Sequence, residues 1–178
     1  MKRTVLFAVL FLSTISSQAL AERGDHYWLA DLGLMMVDNS DNPDNLTILG
    51  LKYGYGLTER LALETDYTMS LSGGAYEDKD INEDGEYSVW LLGVNAAYRQ
   101  VFMENFYFKG KLGLSYGEQK RTNSEVSTEK EDVTSITGGL GVGFLAGKVV
   151  GSSLTAEAEL TMHDSDLMSF TVGANVTF

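Results

Sequence analysis

The chain has no cysteine, one proline in 178 residues, and thirteen basic residues against twenty-five acidic ones. Without thiols there is no disulfide framework and no thiolate zinc site, so the fold must hold by burial and hydrogen bonds. A formal charge of -12 argues strongly against nucleic acid as a partner. Beyond residue 21 no run of 18 uncharged residues occurs, so no transmembrane helix is expected in the mature chain and any membrane crossing must use strands.

The N-terminus is of another kind. Lys2 and Arg3 precede an apolar run that starts at Val5, and Ala19-Leu20-Ala21 is a small-x-small cleavage site. Residues 1–21 read as a cleaved secretory signal, leaving residues 22–178 as one domain of 157 residues and -14 formal charge. The alternative is a membrane anchor, but the apolar run falls short of the roughly 20 residues a spanning helix needs.

What the chain does have is alternation. Met168, Phe170, Val172, Ala174, Val176 and Phe178 alternate with Ser169, Thr171, Gly173, Asn175 and Thr177. That puts every apolar side chain on one face of a strand. The pattern recurs in seven earlier segments, beginning near Trp28, Leu49, Leu61, Trp90, Phe106, Ile136 and Leu154. The first is blurred, because Leu29, Met35 and Val37 share the face of Asp31.

Eight segments of about ten residues match the length a tilted strand needs to cross a bilayer. Long polar connections (about 38–45, 73–86, 117–132 and 163–167) alternate with short ones (58–60, 101–105 and 147–152). The fold class predicted is all-β: an eight-stranded antiparallel up-and-down transmembrane barrel in a bacterial outer membrane, both termini periplasmic.

A soluble ligand-binding barrel with the apolar face turned inward is the rival. Two features favour lipid outside. Glycines crowd the charged face at Gly50, Gly54, Gly56, Gly113, Gly139, Gly141, Gly143 and Gly173, where a narrow interior has least room. Aromatics of the apolar face gather near strand ends, as interfacial girdles do: Trp28, Tyr55, Tyr98, Phe106, Phe144 and Phe178 at one rim, Trp90, Tyr116 and Phe170 at the other.

The inward face then carries Asp31, Lys52, Glu64, Asp66, Arg99, Lys109, Lys111, Glu157 and Glu159. An unpaired ion in a narrow, dry lumen costs several kcal/mol, so these charges are expected to pair in a network. A lumen so filled is no open diffusion channel; a proton or small-ion path through the network is the alternative.

At this point the chain resembles the small eight-stranded outer-membrane barrels of Gram-negative bacteria, the OmpA/OmpX-type or porin-family barrel domain. The residues that carry the resemblance are Phe170 to Phe178, Gly54 to Glu64 and Phe106 to Leu114. It implies a membrane-embedded, non-catalytic surface protein, a monomer set among outer-membrane lipid and lipopolysaccharide. It also implies that the barrel-assembly machinery reads the C-terminal strand ending at Phe178. Larger relatives carry a peptidoglycan-binding domain, and none is expected after Phe178. Family members differ mainly in their loops, so no single activity is implied.

Asp80, Asn82 and Asp84, with Gly85 at the turn and the Glu86 carbonyl, match the start of an EF-hand calcium loop. The twelfth position is Leu91 and the flanks are strands, so this is a weak calcium candidate beside the plainer reading of a solvated acidic hairpin loop. The four long connections together hold sixteen acids and four bases.

His163-Asp164-Ser165 superficially matches the His-x-Ser pair of lipid A deacylases. The last strand carries no acid to orient the base, and Asp166 stands where that family has Asn. Gly138-Gly-Leu-Gly-Val-Gly143 keeps strand alternation and precedes no helix, so it is no nucleotide loop. No cofactor and no catalytic residue is expected. The functional expectation is a structural or surface-interaction barrel; the alternatives are a small solute or ion channel and, less favoured, a lipid A-modifying enzyme.

Overall fold

A computed structural model describes residues 23–37, 45–71, 74–78, 83–123, 128–149, 152–164 and 166–178. The expected signal, residues 1–21, lies outside them. The strands are β1 (His26–Val37), β2 (Leu46–Gly56), β3 (Leu61–Ser70), β4 (Gly74–Asp78), β5 (Glu83–Met103), β6 (Phe106–Asn123), β7 (Thr128–Val149), β8 (Ser152–Met162) and β9 (Leu167–Thr177). All pair antiparallel in the order β3-β2-β1-β9-β8-β7-β6-β5-β4, and a β3–β5 ladder closes the sheet. The short β4 extends the wall begun by β3, pairing with β5 beyond the point where β3 leaves it. The result is an eight-stranded barrel.

Closure depends on alternation. Inward residues are buried and outward ones exposed along β3, for example, from Leu61 to Thr68. The outward face is apolar all round, with Ile136 and Leu140 each 73 % exposed. Aromatic pairs mark its ends: Trp28 with Tyr53 and Phe106 with Phe144 at one rim, Trp90 with Tyr116 at the other. In lipid such a surface is solvated by acyl chains and every backbone group is paired within the closed sheet.

Glycine makes the interior possible at two positions. A Cβ at Gly54 would overlap the ring of Tyr27, and one at Gly143 the ring of Tyr107. Each tyrosine lies flat against bare backbone, which lets two large side chains share a lumen of this girth.

The seam between β1 and β9 is tied at its end by two backbone bonds between His26 and Phe178, of 3.0 and 2.9 Å. The His26 ring stacks on that of Phe178, with centroids 6.3 Å apart. At the same rim the β2–β3 turn is held by Thr58, whose Oγ1 accepts from Leu61 N at 2.9 Å.

Two of the long connections differ from the sequence expectation. The sequence pattern predicts polar connections at 73–86 and 117–132, yet β5, β6 and β7 run to 21, 18 and 22 residues and carry the wall well past the aromatic rim. The ladder pairs Gly85 with Asn123 and Thr122 with Thr128. Polar composition does not stop a strand whose backbone partners are already in register; charge on both faces only moves it from lipid into water. The short turns shrink likewise, since β5 continues through Val101–Met103 and β7 through Gly147–Val149.

Candidate functional site

Six strands deliver charged side chains to the lumen, and the inward glycines leave room for them. Glu159 of β8 forms ion pairs with three lysines: Lys52 at 2.7 Å, Lys109 at 2.8 Å and Lys111 at 2.7 Å. Lys109 also reaches Glu64 at 2.9 Å and Glu157 at 2.8 Å. Lys52 pairs with Asp31 at 2.9 Å, and Lys111 with Asp66 at 3.1 Å. Arg99 lies 3.3 Å from Glu64 and 4.0 Å from Glu157, with its guanidinium 4.1 Å from the centre of the Tyr27 ring.

All nine charged residues named above are buried and joined in one set, five acids against four bases. Neutral groups extend it. Tyr27 donates to Glu64 at 2.5 Å and Tyr107 to Glu157 at 2.7 Å. Asn95 donates to Asp66 at 3.0 Å while accepting from Thr137 at 2.7 Å. Each lysine touches at least two carboxylates, so the Coulomb gain is shared out against a desolvation cost that no isolated pair would recover. Chemically the arrangement is a polar plug.

Nearer the outer rim the lumen turns apolar. Met35, Leu46, Ile48, Tyr87, Val89, Leu91 and Leu167 form one buried cluster, with Val37 packed against it. The sequence reading missed this cap. Its signal was present, because Leu46 and Ile48 share the face of Lys52, and Val89 and Leu91 that of Asn95 and Arg99.

Beside the cap sits His163, in the β8–β9 connection. Its Nε2 is 2.9 Å from Ser169 Oγ, and its backbone carbonyl accepts from Ser135 Oγ, itself 3.0 Å from Ser115 Oγ. Burial, and then the nearby Lys111 ammonium, lower its pKa from 6.5 to about 4. His163 is therefore buried and neutral. Ser165 lies outside the described residues and Asp166 is exposed.

The calcium candidates are only partly in view. Asp80 and Asn82 lie outside the described residues; Asp84 falls in β5 opposite Glu77, and Glu86 opposite Ala75 and Thr122. No group of three or more His, Cys, Asp or Glu residues placed to hold a metal occurs among the described residues.

A closed barrel with an apolar girdle outside and paired charges within is an integral outer-membrane β-barrel. The chain belongs to the outer membrane protein beta-barrel domain family, which it matches over residues 7–178. It resides in the outer membrane with both termini on the periplasmic side, and membership of this family supports a non-enzymatic role. Among solved structures it is similar to Neisserial surface protein A, at 15 % identity and TM-score 0.63 over 86 % of this chain and 97 % of that one.

Outer membrane protein OprG from Pseudomonas aeruginosa is similar at 12 % identity and TM-score 0.60, over 89 % and 97 %. The attachment invasion locus protein Ail of Yersinia pestis, in complex with the heparin analogue sucrose octasulfate, is similar at 18 % identity and TM-score 0.57, over 88 % and 99 %. At these identities the likeness is one of fold. No curated protein matches in sequence.

Proposed function

We propose that the protein is a closed, monomeric surface barrel whose role is structural or adhesive: a rigid wall that holds acidic hairpins outside the cell and passes no solute. The observation that carries this reading is the pairing of all nine lumen charges beneath an apolar cap. Opening a path would mean breaking several ion pairs at once and wetting the cap, both costly.

The test is conductance of the purified, folded protein in a planar bilayer. Silence supports the closed barrel; steady ohmic steps would sink it and install the channel. One observation favours that second reading: Glu64 Oε2, Arg99 Nε and Asn175 Nδ2 are buried without a hydrogen-bonding protein partner among the described residues.

The hairpins differ from a polyanion-binding surface. The relative Ail was solved with a sulfated sugar, whereas the long outer connections here hold sixteen acids and four bases. An acidic rim repels sulfated glycans and favours basic partners or divalent cations. In this reading the signal is cleaved after Ala21 and the assembly machinery recognises the strand ending at Phe178. The N-terminal mass of the exported protein and assembly of a Phe178→Ala variant test these two points.

A further inference from the structure

The β5–β6–β7 wall above the aromatic rim has an outward face with an ordered charge pattern. Reading across the ladders, Trp90, Glu118 and Asp132 form one row, and Ser88, Lys120 and Lys130 the next row outward. Both rows place like charges directly opposite each other on neighbouring strands, Glu118 against Asp132 and Lys120 against Lys130, which is unfavourable in a sheet.

Three of these four charges find relief. Lys130 donates to Glu118 at 3.1 and 3.2 Å, and the Tyr116 hydroxyl reaches Asp132 at 3.5 Å. Lys120 has no ion-pair partner among the described residues, and its cross-strand neighbours are Lys130 and Ser88. Its height is informative. Four residues beyond the girdle residue Tyr116, on a strand tilted by about 40°, place it about 10 Å above the apolar boundary. A lysine stem reaches down part of that distance, into the headgroup layer.

We propose that this face is a seat for the phosphate of an outer-leaflet lipid headgroup. Lys120 and Lys130 hold the anion, the Ser88 hydroxyl donates from the flank, and Trp90 anchors the seat at the boundary below. A phosphate between the two lysines turns their repulsion into attraction and gives Lys120 a counter-charge that none of the described residues supplies. The inference rests on the membrane placement of the barrel and is independent of whether its lumen is closed.

The experiment uses the folded full-length protein in detergent carrying Trp28→Phe, so that Trp90 is the only fluorescent indole. It is titrated with a phosphorylated glycolipid, with the same lipid dephosphorylated, and with inorganic phosphate. A saturable Trp90 response to the phosphorylated lipid alone is expected, weakened about fivefold by Lys120→Gln and restored by Lys120→Arg. Equal binding of the dephosphorylated lipid, or indifference to Lys120→Gln, overturns the seat. An equal response to inorganic phosphate overturns the lipid as occupant. Ser88→Ala, which removes no charge, gives a second reading should Lys120→Gln fail to form the heat-modifiable band of a folded barrel.

Discussion

The lumen has two chemistries along its length. Its charged part is held by multidentate ion pairs centred on Glu159 and Lys109, and its outer end by apolar packing around Leu91 and Met35. The charged part tolerates no loss of a single member, because every ion is part of the compensation for the others. The apolar part degrades gradually, each truncation costing the contacts and the cavity it leaves. Strength and tolerance are thus placed at opposite ends of one cavity, and the tolerant end faces the outside.

That contrast can be broken most severely at Lys109. Lys109→Ala leaves Glu64, Glu157 and Glu159 short of a shared cation, and urea unfolding in lipid vesicles should show a loss of about 3–5 kcal/mol. Next in size is Leu91→Ala in the cap, for which the same assay should give about 2–4 kcal/mol. If the two losses came out reversed, the network would be looser than its distances imply.

The rim residue His163 sharpens the comparison through pH. Its pKa is lowered on folding from 6.5 to about 4, so the folded state resists its protonation. The stabilisation is fully present above pH 6.5 and is lost as pH falls toward 4, by about 3 kcal/mol. His163→Gln should flatten that segment of the stability–pH curve. Smallest of all is Lys130→Ala on the outer hairpin. Its pair with Glu118 is solvent-exposed, and the expected change is under about 0.5 kcal/mol, measured by the midpoint of the same unfolding transition.

Much of this architecture was legible because a strand's side chains alternate with period two and one face had to meet lipid. Asp31, Lys52 and Glu159 fall on one face by counting alone. Counting did not reveal that Lys52 on β2 meets Glu159 on β8, 107 residues away. Such pairings depend on strand tilt and on side chains crossing the lumen, neither of which is written locally.

The outer hairpins were misread for a related reason. Segments 73–86 and 117–132 are polar on both faces, so periodicity has no signal there, and only backbone pairing in register reveals strands. The burial of His163 was not legible either, because it comes from Ser135 on β7 and Ser169 on β9, residues brought together by closure.

By itself, then, the sequence determined which face of each strand meets lipid, the number of membrane-crossing segments and the side of the membrane on which the acids gather. Those follow from residue type and spacing through the cost of placing polar groups in hydrocarbon. Only the tertiary structure decided which carboxylate each lysine shares, where the lumen becomes apolar and how far the wall rises above the membrane. Those depend on contacts between strands distant in sequence, which exist only once the barrel is closed.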